Sequence, residues 1–324
     1  VLRDEPMPPF LGGGHVVNDV AASDSMIVAV GDATNSDENA MRSGLVWISA
    51  DGVTWERVDD PEDLEFGGKG LNTVVAGGPG FVMAGNSCET EERCVGTWVA
   101  ALWTSADGRD WLRVPHDPVL FGTRSAIYDL FVWNGEILAS GLLCNDTDCP
   151  FTVWRSRDGR TWEAAPLPDA WPGRLAAGGP GLVGVSNEWS EDGSAAWAAV
   201  WTSADGVDWE RVPHDPEVFG SGEGTIEGMN DVAAGPRGIV AVGTDYTGAL
   251  TGGPTSAIVW FSTDGLTWER IPFDQEIFGD AAMTTVIPWG DGFLAAGPDW
   301  AITEMLGGPA PGSAFVPSRP TLWV

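Results

Sequence analysis

Six equivalent positions of the chain carry side chains that could bind a ligand or a metal ion. They stand at the starts of short, recurring apolar segments: Asp19, Thr73, Asp129, Arg174, Asp231 and Thr285. If these segments surround a common channel, the three carboxylates Asp19, Asp129 and Asp231 supply converging oxygens, which suit Ca²⁺. Together with Arg174 they could instead bind a polar ligand at the channel mouth. In the alternative interpretation, each aspartate caps its own loop and water fills the channel.

Aromatic and acidic side chains are expected near the same mouth. Trp189, Tyr246 and Trp300 lie in loops that follow the second strand of a repeat, where their rings either stack on sugar faces or pack beneath the loops. These loops are rich in carboxylates, which favours a solvated acidic rim or, alternatively, a surface for a cation or a basic partner. The last loop is the longest, and its Pro and Gly content is typical of a lid.

A sequence repeat positions these residues. Five segments share the pattern Trp-x-Ser-x-Asp-Gly-x-x-Trp without gaps: Trp47–Trp55, Trp103–Trp111, Trp154–Trp162, Trp201–Trp209 and Trp260–Trp268. The first tryptophan of the pattern occurs a sixth time at Trp323. Short apolar runs bounded by Gly and Pro precede the copies, and Asp-Gly favours a tight hairpin. The repeat therefore predicts one four-stranded antiparallel unit per copy.

The Ser-x-Asp-Gly-x-x-Trp core of this pattern resembles the Asp box, the bacterial neuraminidase repeat of sialidase-like β-propellers. The resemblance covers nearly the whole chain. It implies that the second tryptophan of each copy lies between blades and that five aspartates bond back into their own hairpin turns: Asp51, Asp107, Asp158, Asp205 and Asp264. In sialidases the Asp boxes lie on the face opposite the active site, so the resemblance implies a structural role.

The expected fold is all-β, a six-bladed β-propeller of four-stranded antiparallel blades that forms one domain over residues 1–324. The N-terminal segment resembles the end of a fourth strand, so we expect it to complete the last blade and close the ring. In the alternative, this strand is donated to a neighbouring molecule, which would build chains or fibres. The expected segments are 1–14 for the fourth strand of blade 6, then 15–66, 67–122, 123–173, 174–220, 221–279 and 280–324 for blades 1 to 6.

Composition restricts the partners of the protein. The formal net charge is −31 over 324 residues, so no nucleic acid or anionic membrane is expected as a partner, since both attract a basic face. No apolar run reaches the roughly 20 residues of a membrane span. The chain begins without an initiator Met or an apolar leader, and we expect an exported, extracellular or cell-surface protein whose signal peptide has been removed.

The four cysteines flank two loops of neighbouring repeats. Four cysteines permit three pairings. The local pairs Cys88–Cys94 and Cys144–Cys149 are favoured because each would join adjacent strands. A joint metal site is disfavoured because the Cys-x₂-Cys spacing is absent. Disulfides indicate an oxidising compartment.

Motifs for catalysis find little support in the sequence. The family's sialidases use a tyrosine nucleophile, and the chain has two tyrosines. One of them, Tyr128, directly precedes Asp129, and neighbours in a strand point to opposite faces. Arg270-Ile-Pro resembles the family's N-terminal Arg-Ile-Pro motif but lies in a fourth-strand sequence that recurs in other repeats. Val-Pro-His-Asp-Pro occurs at His116 and His214 and is interpreted as repeat-derived structure rather than as a zinc site.

These observations favour a secreted or surface-displayed propeller that recognises a glycan or an extracellular protein through its acidic loop face without turning it over. No cofactor is expected beyond the Ca²⁺ considered above. The first alternative is a carbohydrate-active enzyme, a glycoside hydrolase or lyase, that uses carboxylates of the same face. The second is a structural protein that self-assembles through its N-terminal strand. The protein is accordingly expected as a monomer or as such an assembly.

Overall fold

The computed structural model describes most of the chain, namely residues 15–33, 42–58, 67–88, 98–122, 124–144, 148–167, 170–220, 224–248, 255–274, 282–298 and 320–323. The predicted closing strand, residues 1–14, lies outside the described residues, and so does Trp300. The chain divides into two compact units, Val1–Pro168 and Asp169–Val324. Each unit contains hydrophobic clusters of its own.

The first unit is built mainly of β-strands. They are β1 (His15–Ala22), β2 (Ile27–Ala33), β3 (Arg42–Ser49), β4 (Glu56–Arg57), β5 (Gly67–Gly77), β6 (Gly80–Cys88), β7 (Trp98–Ser105), β8 (Trp111–Arg113), β9 (Arg124–Trp133), β10 (Glu136–Cys144), β11 (Phe151–Ser156) and β12 (Glu163–Leu167). A four-residue helix, α1 (Pro118–Phe121), follows β8. We number the strand sets β1–β4, β5–β8 and β9–β12 as sheets 1, 2 and 3; sheets 1 and 2 also pair through β3 and β5.

The second unit repeats this organisation. Its strands are β13 (Arg174–Gly178), β14 (Gly181–Trp189), β15 (Ala196–Ser203), β16 (Glu210–Arg211), β17 (Glu227–Gly235), β18 (Gly238–Asp245), β19 (Ser256–Ser262), β20 (Glu269–Arg270), β21 (Thr285–Trp289), β22 (Gly292–Pro298) and β23 (Pro320–Trp323). A second four-residue helix, α2 (Pro216–Phe219), follows β16. Sheets 4, 5 and 6 are β13–β16, β17–β20 and β21–β23.

Within each sheet, strands that are consecutive in sequence pair in an antiparallel manner. The prediction of an all-β chain made mostly of four-stranded antiparallel sheets is therefore confirmed. The second strand of a sheet is the most buried, as in β2, where Val28, Ala29 and Val30 are fully enclosed. Continuous apolar runs fit this position because both faces of the strand are covered.

A β-bulge interrupts the innermost strand of four sheets just before a predicted site residue. The pairing register shifts at Asn18 in β1, Asn72 in β5, Tyr128 in β9 and Asn230 in β17. A bulge adds one unpaired residue, bends the strand and redirects the side chains that follow. Simple alternation of side chains therefore fails at these positions.

The five Asp-Gly turns share one hydrogen-bond pattern. In each, one carboxylate oxygen of the aspartate accepts from the backbone amides two and three residues later at 2.7–2.9 Å. The tryptophan that follows is buried against the preceding sheet in three cases: Trp111, Trp162 and Trp268. These hydrogen bonds lower the pKa of the Asp158 carboxyl to about 2, chiefly through the amides of Thr161 and Arg160.

The two Val-Pro-His-Asp-Pro segments form helix starts. Asp117 caps α1 by accepting from the amides of Val119 and Leu120, and Asp215 caps α2 by accepting from that of Glu217. Proline follows the cap in both helices, where its missing N–H costs nothing. The sequence motif thus serves a local structural purpose in both units.

Candidate functional site

In the first unit, Asp19 links the innermost strands of sheets 1 and 2. Its Oδ2 accepts from the Thr73 hydroxyl at 2.8 Å and from the Val74 amide at 2.9 Å. The Thr73 hydroxyl in turn accepts from the Leu130 amide of sheet 3 at 3.3 Å, and Thr73 is fully buried. Because these bonds hold three successive strands in register, we call the Asp19–Thr73 pair the first latch.

The second unit contains an equivalent pair between sheets 5 and 6. Asp231 Oδ2 accepts from the Thr285 hydroxyl at 3.0 Å and from the Val286 amide at 2.8 Å. Its other oxygen accepts from the Val232 amide at 2.9 Å. Thr285 is solvent-exposed. We call this pair the second latch.

The environment of the second latch changes the acidity of Asp231. Burial raises the pKa of the Asp231 carboxyl above its ordinary value. The Val286 amide, the positive charge of Arg174 and further hydrogen bonds act in the opposite direction but do not cancel the effect of burial. A carboxyl that holds its proton towards neutral pH is suited to general acid catalysis.

The structure thus brings some of the predicted site residues together. Asp19 meets Thr73, while Asp231 meets Thr285 and feels the charge of Arg174. Asp129 lies in β9 opposite Ser140, and Arg174 begins β13 opposite Val185. The aspartates bond to the next strand rather than to their own loops, which the sequence analysis did not anticipate.

Bulged asparagines, which the sequence analysis missed, reinforce the latches. The Asn18 amide donates to the Leu71 carbonyl at 2.7 Å and to Asp32 at 3.0 Å. The Asn230 amide donates to the Met283 carbonyl at 2.7 Å and to the Thr244 hydroxyl at 3.0 Å. A signal was present, since Asn precedes the latch aspartate in both segments.

The expected Ca²⁺ site finds no support. The described residues contain no group of three or more His, Cys, Asp or Glu side chains placed to hold a metal ion. Asp19 and Asp231 direct their oxygens at hydroxyl and amide donors of neighbouring strands instead. Those donors satisfy the carboxylates without a cation.

The argument from strand alternation against Tyr128 is wrong. Because the bulge places Tyr128 outside the register, Tyr128 and Asp129 are both partly exposed between the buried residues Ile127 and Leu130. Burial raises the pKa of the Tyr128 hydroxyl, and a nucleophilic phenolate requires the reverse. Tyr128 therefore remains unsuited to nucleophilic attack, for a different reason.

Arginines neutralise the other buried carboxylates near the ends of the sheets. Glu227, which is buried, receives two hydrogen bonds from Arg270 at 2.9 and 3.1 Å. Glu188 receives two from Arg211 at 2.5 and 2.6 Å and a third from the Trp197 indole at 2.9 Å. These carboxylates are engaged in structural pairs. Asp231 differs in having no ion pair of this kind among the described contacts.

Exposed aromatic rings are confined to a few places. Trp189 is 57% exposed at the end of β14, and Tyr246 is 41% exposed after β18. Trp171, which the sequence analysis did not single out, is 46% exposed just before β13. A cleft of about 370 Å³ lies at the opposite end, between the β13–β14 and β17–β18 turns, and no carboxylate lines it. Acid–base chemistry is therefore sought elsewhere.

Comparison with known proteins identifies the fold. No protein-family model matches the sequence, and no curated protein sequence matches it either. Solved structures do match. The sialidase of Trypanosoma rangeli, in complex with sialic acid, is 14% identical with a TM-score of 0.51. That match covers 90% of this chain and 54% of the sialidase, so the chain spans about half of the sialidase's length.

Two further structures match over nearly their whole length. The GH93 α-L-arabinofuranosidase of Fusarium graminearum, with arabinobiose, is 14% identical with a TM-score of 0.52, covering 91% of this chain and 90% of the enzyme. The α-L-arabinanase of Penicillium chrysogenum, with arabinobiose, is 12% identical with a TM-score of 0.52, covering 92% and 93%. This is a sialidase-like propeller fold.

The comparisons overturn the main functional prediction. A non-catalytic binding or scaffold protein was expected, but the solved structures of this fold that the chain resembles are glycoside hydrolases. The alternative prediction, a carbohydrate-active enzyme, fits these neighbours better. The self-assembly alternative depends on residues 1–14, which lie outside the described residues.

Two observations bear on location. Cys144 and Cys149 form a disulfide, as predicted. The predicted Cys88–Cys94 pair lies outside the described residues. In the described part of the chain, no helix has the length and apolar character needed to cross a membrane.

Proposed function

We propose that the chain is a glycoside hydrolase whose active site lies where the innermost strands of the second unit begin. The observation that carries the proposal is Asp231, a carboxyl with a pKa raised by burial beside the charge of Arg174. In this role, Asp231 donates its proton to the glycosidic oxygen as the bond to the leaving sugar breaks. Arg174 orients polar groups of the substrate.

Glycoside hydrolysis needs a second carboxylate to activate water or to attack the sugar. We assign this role to Asp245 at the end of β18. Its carboxylate accepts from the Thr247 amide at 2.8 Å, and no described arginine pairs with it. Glu188 and Glu227 are poorer candidates because Arg211 and Arg270 engage them.

The test is a panel of plant and microbial polysaccharides incubated with the protein for a day, with reducing ends counted and products resolved by mass. We expect shortened products from at least one neutral polysaccharide, with the rate falling above the pKa of Asp231. Unchanged polysaccharides throughout the panel would refute the hydrolase. Unsaturated products would show a lyase instead.

The finer features of the fold belong to this proposal as well. We infer six blades, an Asp-box propeller of the sialidase-like class, and closure of the ring by residues 1–14 beside β23. Five complete copies of the motif and Trp323 support the blade count. Deleting residues 1–13 should lower the melting temperature of a protein that stays monomeric. Loss of polymers on deletion would show strand exchange between molecules.

We also propose that the protein works outside the cell on glycans. The Cys144–Cys149 disulfide supports this location, because disulfides persist in oxidising compartments. Immunodetection of the protein in culture medium and on intact cells would test it. Detection only inside cells would contradict it.

A further inference from the structure

Sheet 4 differs from the other described sheets at its inner edge. Its innermost strand, β13, has five residues and pairs with β14 only as far as Val185. In sheets 3 and 5, the corresponding strands pair along the whole second strand, out to Cys144 and Asp245. No described strand covers the inner edge of Ser186–Trp189. We call this uncovered edge the notch.

The cause is the sequence before β13. Pro172 has no N–H to donate to a ladder, and Gly173 adopts a positive φ of 53°. A Cβ on Gly173 would lie 3.2 Å from the Ser186 Cβ. The chain therefore reaches β14 through a glycine and extends no further along it, which leaves the notch open.

A buried hydroxyl in the notch has no partner. Ser186 occupies the position that Asp32 has in sheet 1 and Thr244 has in sheet 5, one residue beyond the paired core of the second strand. Asp32 and Thr244 each accept from a bulged asparagine. The Ser186 Oγ is buried and makes no hydrogen bond. An unsatisfied buried hydroxyl costs stability, so its retention suits a ligand that supplies the missing bond.

The side chains along the notch are neutral or neutralised. The Asn187 amide packs over Gly228, where a Cβ would come within 2.5 Å of its Oδ1. Arg211 holds the Glu188 carboxylate, and Trp189 presents an exposed ring at the end. The chain as a whole carries −31 charges. Such a surface repels polyanions and tolerates neutral polar ligands.

We propose that the notch binds one sugar residue of a neutral, unbranched glycan. The sugar's hydroxyls bond to the Ser186 hydroxyl and to the free backbone groups of the edge, while its apolar face stacks on Trp189. The inference rests on the proposed function, because it places part of the hydrolase substrate beside the second latch. It also adds the substrate class, neutral rather than acidic.

Calorimetric binding to xylohexaose, arabinohexaose, mannohexaose and a galacturonic acid hexamer tests this. We expect a neutral hexasaccharide to bind, with affinity changing less than about twofold between roughly 50 and 500 mM NaCl, since no charge pairing is involved. Trp189→Ala should weaken binding about tenfold or more. Trp289→Ala is the matched control, because Trp289 is 62% exposed at the β21–β22 turn and its removal should leave affinity unchanged.

Ser186→Ala separates binding from folding. The variant should bind about three- to tenfold more weakly while its melting temperature stays equal or rises, because it removes a hydroxyl that has no partner in the free protein. A lower melting temperature with unchanged affinity would overturn the assignment. So would binding of the acidic hexamer alone, no binding of any hexamer, or a Trp189→Ala variant that binds as the parent does.

The outcome is independent of catalysis. Hydrolysis with an unchanged KM in Trp189→Ala would discard the notch and keep the hydrolase. Binding that depends on Trp189 and Ser186, without products after a day, would keep the notch as a glycan site and discard the hydrolase.

Discussion

The two latches use the same hydrogen bonds in different surroundings. In both, an aspartate Oδ2 accepts from a threonine hydroxyl and from the next backbone amide. Thr73 is fully buried and passes the connection to a third sheet, whereas Thr285 is exposed. The same short motif therefore serves packing in the first unit, while in the second it is open to a ligand and lies under the charge of Arg174.

The largest expected difference is in activity. Asp231→Asn removes the proposed proton donor and should reduce kcat about 10²- to 10⁴-fold. Asp19→Asn changes the equivalent latch and should leave kcat within about twofold, although its melting temperature falls by a similar amount. Initial rates on the hydrolysed polysaccharide, with thermal melts of both variants, provide the measurement. Equal losses of activity would reduce both latches to structural elements.

Ion pairs provide a second contrast. Arg270→Ala strands the buried Glu227 carboxylate and should destabilise the protein by about 3 kcal/mol. Arg109→Ala breaks a pair in the first unit whose side chains are 49% and 62% exposed, and should cost about 0.5 kcal/mol or less. Urea unfolding of each variant is the measurement. If Arg270→Ala proved as mild as Arg109→Ala, Glu227 would be better solvated than its burial indicates.

The threonines differ in the same direction. Thr73→Val removes a buried hydroxyl that both donates to Asp19 and accepts from Leu130, and should cost about 2 kcal/mol. Thr285→Val removes an exposed hydroxyl with a single described bond, and should cost about 0.5–1 kcal/mol. Chemical denaturation distinguishes them. The reverse order would mean that Thr285 is better shielded than its exposure indicates.

The smallest effect concerns pH. The pKa of Asp158 is lower in the folded protein, about 2 against 3.8, so its stabilisation is complete above about pH 4 and disappears as the pH falls towards 2. The raised pKa of Asp231 acts oppositely: its contribution is present below about pH 3.8 and is lost as the pH rises through the folded pKa. Melting temperatures of Asp158→Asn and Asp231→Asn across pH 2–7, relative to the parent, should diverge by about 2–4 °C with opposite slopes. Parallel curves would contradict this assignment of signs.

Local chemistry explains what could be read from the sequence. The hydrogen bonds of the Asp-Gly turns involve residues two or three positions apart, so the motif specifies them almost completely. The latches join residues far apart in sequence and depend on bulges, which alternation patterns do not reveal. Burial of Asp231 arises from packing in three dimensions. The shortened β13 had a readable signal in Pro172-Gly173 before an otherwise regular repeat.

The spacing of the latches has a consequence for synthesis. In both, the aspartate and threonine are separated by 54 residues. At ribosomal rates of about 5–20 residues per second, each partner emerges roughly 3 to 11 s after the aspartate. A nascent chain can therefore secure one sheet to the next while translation continues, without waiting for its C-terminal end. Ribosome-bound chains truncated just past Val74 should already resist proteolysis within sheet 1, and those truncated before Thr73 should not.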